Sequence, residues 1–514
     1  MVEAAPRSPS WSATRSNSDP TPSSDERVLL FPGWATRKYH HAMSPDSQNQ
    51  FTIDVYVSGY VANFTRPEAA TRAQKALLYA AKNFATLPKL VKTVAQPQQE
   101  DSPPPIQYHL TPSTEELLAT KKLPPRPTEI NDELERIALA QMYEDETSTQ
   151  FSQDSFGASI PIPDDMEHGS PPVSMDGLSP DEVRRLHLNL HTRLRAFWST
   201  PLPGRVIRLS LYLEGDPDEP LLVQNVLTDA QGAFAIQLQV PWERMIAHPR
   251  AQLVAHGEPG ASPHFVRLTA DLLPSPARDK AASPRELPTD SFVLPLTHTR
   301  VRLISDVDDT VKNSDIVHGA RAAFHNVFVK QLDDVVIHEM RDWYKSMYAR
   351  GVRFHYVSNS PWELLPVLND FIRVSQLPEG SLKLKYYGGA REFFSNIREP
   401  AAQRKRGGVL EVLDAFLDAQ FILVGDTGEQ DMELYAALAR DRPFQILAVF
   451  VRDVTSPSIA AKKDKEEKEE RMLNFVERVR RAREMVPSHI AFRVFTDPAE
   501  CVEAQLILDR LEIG

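Results

Sequence analysis

The chain has 514 residues, with 58 Lys and Arg against 70 Asp and Glu and a formal net charge of -12. That length exceeds one ordinary core, so two or three domains with linkers are predicted. The acidic balance argues against a general nucleic-acid binder, which shows a basic footprint. Cys501 is the single cysteine, so an intramolecular disulfide is excluded, which fits a reducing compartment. No run of about 18 apolar residues occurs, and the N-terminus lacks an apolar signal core. The expectation is a soluble, intracellular protein that meets membranes only peripherally.

In chain order, residues 1–26 are rich in Ser and Pro and predict disorder. Residues 27–94 predict strands and a helix. In Phe51–Val61 the side chains of Phe51, Ile53, Val55 and Val57 alternate onto one face of a strand. Leu77, Leu78, Ala81 and Phe84 recur at helical spacing within 67–85. Residues 95–178 read as a Pro-rich linker, with a short helix allowed at Asn131–Tyr143. Inside it, Lys121-Lys-Leu-Pro124-Pro-Arg-Pro127 has the spacing of a polyproline II ligand for an SH3 groove; chance matches are common in such linkers.

Residues 179–299 predict a helix and then a small antiparallel β-sandwich. Ser179-Pro-Asp-Glu opens the helix with a cap and early acids. Strands are expected at 205–213, 221–227, 234–240, 253–256 and 265–269, with a turn at Thr228–Gly232. From 300 to 514 apolar runs alternate with helical stretches, which indicates a doubly wound α/β domain. Its strands are expected at 301–306, 352–357, 382–386, 421–424, 444–451 and 490–495. Helices are expected near 338–349, 362–374, 406–418, 429–440, 464–484 and 498–511.

Four peptides of this domain make joint chemical sense. Val301-Arg-Leu-Ile-Ser-Asp306-Val-Asp308-Asp309-Thr310 ends a strand in three carboxylates and a hydroxyl. Phe354-His-Tyr-Val-Ser358-Asn359 ends the next strand in a hydroxyl, Arg404-Lys405-Arg406 starts a helix, and Phe421-Ile-Leu-Val-Gly425-Asp426-Thr-Gly-Glu-Gln-Asp431 ends another strand in acids. Strand C-termini of a parallel sheet open on one crevice, so these groups can meet. Crowded carboxylates there suit Mg²⁺, which prefers oxygen ligands. Together the groups allow phosphoryl transfer. One aspartate attacks phosphorus, the aspartate two residues on handles protons, and a hydroxyl and a lysine offset phosphoryl charge.

In their order these peptides resemble the haloacid-dehalogenase-like phosphohydrolases. Ser305–Lys312, Phe354–Trp362 and Leu423–Tyr435 more closely resemble the catalytic domain of the fungal actin-patch phosphatidate phosphatase family. The resemblance implies a Mg²⁺-dependent enzyme converting phosphatidate to diacylglycerol and phosphate. It further implies a cytoplasmic role at cortical actin patches in endocytosis, with SH3-domain partners. By motif, Asp306 would be the nucleophile and Asp308 the acid/base; Thr310 would support the loop, and Ser358 with Asn359 would bind the phosphoryl group. Lys405 would be the motif lysine, with Lys383 and Lys385 on the preceding strand as competitors. Asp306, Asp308, Asp426 and Asp431 would hold Mg²⁺. Thr427 stands where related proteins often carry Ser.

The fold does not choose the substrate. Val311–Ile337 is long for a strand-to-helix connection and carries Ala320, Ala322, Ala323, Phe324, Val327 and Phe328. These residues predict either an acyl-contacting flap or a helix packed on the core. A phosphatase of phosphoprotein or soluble phosphoesters, and an adaptor with a vestigial catalytic domain, are the competing functions.

Overall fold

The computed structural model describes residues 24–39, 50–90, 178–213, 219–248, 251–256, 264–274, 287–388 and 401–510. The peptide with Lys121, Pro124 and Pro127, the allowed helix at Asn131–Tyr143 and most of 1–26 lie outside them. The described elements form a β-rich unit, a six-stranded parallel sheet with helices on both faces, and a small helical layer.

The β-rich unit starts with β1 (Ser24–Tyr39) and β2 (Phe51–Thr65), followed by helices α1 (Arg72–Phe84) and α2 (Pro180–Arg195). Both helices begin with a reciprocal capping box, Thr71 with Gln74 and Ser179 with Glu182, which satisfies donors that a helix start otherwise leaves open. The remaining strands are β3 (Ser199–Pro201), β4 (Val206–Leu213), β5 (Leu222–Leu227), β6 (Ala233–Val240), β7 (Phe265–Leu272) and β8 (Thr289–Thr297). Two short helices, α3 (Trp242–Ala247) and α4 (Ala251–His256), separate β6 from β7.

The strand order is β3-β2-β1-β8-β7-β4-β5, with β6 also on β2. Strands of 27–94 and strands of 199–297 therefore share hydrogen bonds in one sheet system. Their inner faces meet in a core that includes Leu30, Ile53 and Val55 with Leu209, Leu211 and Leu268. Residues 253–256, expected as a strand, belong to α4; a run of three apolar residues does not separate strand from helix. Strand β8 was not expected, because the preceding Pro-rich stretch masks its alternation.

The C-terminal sheet contains β9 (Val301–Ser305), β10 (Arg353–Pro361), β11 (Gly380–Lys385), β12 (Gln420–Asp426), β13 (Ile446–Arg452) and β14 (Ala491–Phe495). Its order is β11-β10-β9-β12-β13-β14, and every pairing is parallel. The chain thus starts in the middle and reverses direction between β9 and β12, a point where ligands bind in such sheets. The helices are α5 (Ala320–Phe328), α6 (His338–Ala349), α7 (Leu365–Ser375), α8 (Ala401–Ala415), α9 (Asp431–Asp441), α10 (Thr455–Ala460), α11 (Lys465–Met485) and α12 (Val502–Arg510). Both sheet faces are buried: Leu303, Ile422 and Phe450 pack with Met340 and Phe371 on one side. Ile304, Leu423 and Val449 pack with Val412 and Leu438 on the other. Two-sided burial explains why these strands read as unbroken apolar runs.

Helix α5 resolves the two readings of Val311–Ile337. Phe324 and Phe328 are buried and stacked on each other at 4.7 Å, in a cluster with Leu78 of α1 and Leu190 and Leu194 of α2. Asn189 and Arg193 of α2 donate to the Val329 and Val327 carbonyls. The apolar face of α5 is therefore occupied by the helices that hold it down.

The β-rich unit also touches the parallel sheet. Strand β1 bulges between Phe31 and Trp34, where a Cβ on Gly33 would come within 2.2 Å of the Tyr56 carbonyl oxygen. Phe31 packs on Trp362, and Trp34 packs on His355 and Phe416. Two cations are buried along this seam. The Arg302 guanidinium lies 3.5 Å from the Phe416 ring centroid, and burial draws its pKa down to about 9. The Lys383 ammonium lies 3.6 Å from the Tyr56 ring centroid and 2.9 Å from Glu411; burial draws it down to about 8. Among the described residues, no helix is long and apolar enough to cross a membrane.

Candidate active site

The end of β9 builds the centre of the site. The Asp306 carboxylate is buried and accepts from Thr310 Oγ1 at 3.2 Å and from Lys405 Nζ at 2.7 Å. Asp308 points to different partners. Its carboxylate accepts from Lys312 Nζ at 3.3 Å, Ser358 Oγ at 3.0 Å, Ser360 Oγ at 3.1 Å and the Ser314 hydroxyl. Burial alone would raise the Asp308 pKa, but Lys312 and the three hydroxyls outweigh it and hold the group below its ordinary value. Asp308 is thus kept ionised and fully engaged.

Asp309 has a role the sequence reading did not find. It sits in the left-handed region at φ 57°, where Asp is tolerated because its side chain bonds locally. Its carboxylate accepts the backbone N–H groups of Ser314, Asp315 and Ile316 at 2.9, 2.6 and 2.7 Å. Arg452 donates to its carbonyl at 2.7 Å. Asp309 therefore folds the chain leaving the nucleophile loop back on itself, and this turn presents Lys312 and Ser314 to Asp308.

The end of β12 supplies the other acids. Asp426 Oδ1 accepts from the N–H groups of Gly428 and Glu429 at 2.6 and 3.0 Å. Asp431 opens α9 beside it. Gly425 permits this approach, since a Cβ there would lie 2.5 Å from Asp431 Oδ2 and 2.8 Å from the Tyr435 ring. Lys405, on α8, reaches in from the neighbouring face. Besides Asp306 it donates to Asp431 Oδ1 at 2.6 Å and to Glu429 Oε2 at 3.1 Å. Lys383 lies in the aromatic seam described above, and Lys385 is exposed, so Lys405 is the lysine brought to Asp306.

These groups are electrostatically crowded. Burial raises the Asp306 pKa well above its ordinary value; Lys405 opposes this, and Asp431, Asp426 and Glu429 add to it. Asp426 is raised by burial, then by Asp431 and Glu429, and Asp431 by burial, with Lys405 opposing. Burial would lower the Lys405 ammonium, but Asp306, Asp431 and Glu429 outweigh it and hold it well above the usual range.

Among the described residues, Asp306, Asp426 and Asp431 each offer an oxygen, and these oxygens lie within 4.8 Å of one another. Asp426 Oδ2 and Asp431 Oδ2 are buried without any hydrogen-bond partner. Unsatisfied carboxylate oxygens are costly in a protein interior, and an all-oxygen set suits a hard divalent cation such as Mg²⁺. The residues therefore fit that cation. The carboxylate of Asp308, fourth in the set read from sequence, stands outside this trio and faces Lys312 and the serines. Asn359 donates from Nδ2 to Glu429 Oε2 at 3.0 Å, beside Ser358. Thr427, in the β12 loop, receives the N–H groups of Val454 and Thr455 and so ties that loop to the end of β13.

Residues 301–453 match the family model described as phosphatidate phosphatase APP1, catalytic domain. An uncharacterized protein of Schizosaccharomyces pombe is 35% identical over 235 residues, which is 45% of this chain and 35% of that protein. The phosphatidate phosphatase APP1 of Saccharomyces cerevisiae is 33% identical over 235 residues, 45% of this chain and 40% of that protein. The chain thus covers well under half the length of each of these relatives. A solved β-glucuronidase of Bifidobacterium dentium aligns at 10% identity and a TM-score of 0.21, over 58% of this chain and 56% of that chain; a likeness so low carries no argument.

Proposed function

We propose, from the match of residues 301–453 to the family model of the phosphatidate phosphatase APP1 catalytic domain, that this chain hydrolyses phosphatidate to diacylglycerol and phosphate. The observation that carries the reading is the junction of Asp306, Lys405 and the two acids of the β12 loop at one sheet edge. The sheet order is that of a doubly wound fold, and we take it as haloacid-dehalogenase-like.

In the proposed reaction an Asp306 oxygen attacks phosphorus, and the bond from phosphorus to the glycerol oxygen breaks. The leaving oxygen takes a proton from Asp308. Water then attacks the aspartyl phosphate, gives its proton to Asp308 and releases inorganic phosphate with free Asp306. The bonding of Asp308 keeps it in the ionised form that the second step requires. For the first step a proton must replace one of its four donors. Ser358 and Ser360 share one of its oxygens and can turn toward phosphoryl oxygens. Lys405 is the fixed positive charge beside the nucleophile. Mg²⁺ held by Asp306, Asp426 and Asp431 would supply further positive charge against the phosphoryl oxygens.

The test is phosphate release from phosphatidate in mixed micelles, with Mg²⁺ and with chelator. Release with Mg²⁺ that disappears on chelation is expected. Release from soluble phosphoesters alone would move the reading to that substrate class, and no release from any phosphoester would leave an adaptor. With the lipid substrate we propose peripheral membrane association, and from the sequence resemblance alone a place at cortical actin patches. For the Lys121–Pro127 peptide we propose an SH3 ligand. Pro124→Ala/Pro127→Ala should abolish capture of the chain by an SH3 domain that retains wild type; equal capture of both removes the idea.

A further inference from the structure

We infer that Glu429 is a positioning residue of the phosphoryl site, one that fixes Lys405 and Asn359 on a single carboxylate oxygen without ligating the metal. The inference rests on the phosphatase reading and concerns how its phosphate is bound.

Glu429 Oε2 accepts from Lys405 Nζ at 3.1 Å and from Asn359 Nδ2 at 3.0 Å. These donors come from α8 and from the end of β10, two elements that Glu429 joins across the crevice. Its own backbone is held from both sides. The N–H donates to Asp426 Oδ1 at 3.0 Å, and the carbonyl accepts from Arg478 Nη2 of α11 at 3.2 Å. Arg478 also pairs with Glu433 at 2.7 Å and donates to the Thr427 carbonyl at 3.3 Å. On the other side, Tyr387 donates to the Asn359 carbonyl at 2.7 Å. The carboxylate is thus anchored at its base and engaged at its tip.

The distribution of charge separates this role from ligation. Lys405 donates to three carboxylates: Asp306, Asp431 and Glu429. Two of them belong to the trio suited to a cation, and Glu429 does not. A cation on the trio draws on two of the carboxylates that pair with Lys405, those of Asp306 and Asp431. Glu429 is then the counter-charge left to keep the ammonium in place beside Asp306. An amide at this position can still accept from Lys405, whereas a methyl group cannot, so Gln and Ala variants should part company.

The experiment compares wild type, Glu429→Gln and Glu429→Ala by calorimetric binding of inorganic phosphate in the presence of Mg²⁺. Mn²⁺ binding is followed by electron paramagnetic resonance, with steady-state kinetics alongside. Loss of a charged hydrogen bond predicts about tenfold or more weaker phosphate binding for Glu429→Ala. KM should rise more than kcat falls, and Mn²⁺ affinity should stay within about twofold. Glu429→Gln should recover most of the phosphate affinity. An equal fall in Mn²⁺ affinity would make Glu429 a metal ligand and overturn the inference. So would unchanged phosphate binding in Glu429→Ala, or phosphate that does not bind wild type at all. Should Glu429→Ala fail to fold, Glu429→Gln alone decides, by keeping phosphate affinity at an unchanged melting temperature or by changing Mn²⁺ affinity. Wild type that binds phosphate but releases none from phosphatidate would refute the lipid substrate and leave the role of Glu429 standing.

Discussion

Asp306→Asn is expected to be inactive and, without divalent cation, more heat-stable than wild type. An amide does not attack phosphorus, so turnover should fall by at least about 10³-fold, as for other lost nucleophiles. The gain in stability comes from charge. Four buried or nearly buried carboxylates, Asp306, Asp426, Asp431 and Glu429, crowd one ammonium. Asparagine keeps one oxygen to accept from Lys405 at the Oδ1 position, and its NH2 at the Oδ2 position can donate to the Thr310 hydroxyl, while one of the mutually repelling charges is removed. About 1 kcal/mol of relief would raise the melting temperature by about 2–4 °C for a domain of this size. Phosphate release and thermal unfolding in chelator check both halves. Retained turnover removes Asp306 as nucleophile, and a lowered melting temperature removes the picture of an overcharged site.

Lys405→Met should move stability the other way. The side chain is fully buried and donates to three acids, so its loss leaves buried carboxylates facing one another with no cation. Breaking such a group by removing one partner costs about 3–5 kcal/mol. Activity should be lost as well, because the nucleophile loses its neighbouring positive charge. Mg²⁺ binds the folded state and stabilises it by mass action. It should therefore raise the melting temperature of Lys405→Met more than that of wild type. A variant with the wild-type melting temperature in chelator would show that the ammonium does not balance these acids. Opposite signs for Asp306→Asn and Lys405→Met are the signature to look for, since a generic packing defect would destabilise both.

The parallel sheet was largely legible because two-sided burial makes its strands apolar runs that stop at chemistry-bearing residues. Val301–Ser305 stops at Asp306, and Phe421–Gly425 stops at Asp426. Side chains whose meaning depends on distant partners were not legible. Glu429 lies inside a quoted motif, yet its partner Asn359 is 70 positions away. Lys312 likewise gains its meaning only once Asp309 bends the chain so that it faces Asp308. The β-rich unit was read least completely. Alternation marks β2 as a strand but carries no information on its partners, which include β6, and nothing local pairs β1 with β8; both β6 and β8 come from a segment beyond the Pro-rich linker. Helix α5 was ambiguous for a similar reason: the apolar face was visible, but not the helices that cover it.

The seam holding Arg302 and Lys383 bears on where the catalytic region can be cut. Residues 301–453 carry the matched motifs, but residues that cover both cations lie outside them. Excising 301–453 would strip Trp34 and Tyr56 from the Lys383 ammonium and Thr36 from Arg302. It would also remove β14, turning β13 from an interior strand into a bare edge, and bare apolar edges invite pairing with other chains. A fragment trimmed to the motif boundaries should therefore aggregate, whereas one that retains β1, β2 and the chain through α12 keeps both cations covered and the sheet closed by its own edge strand.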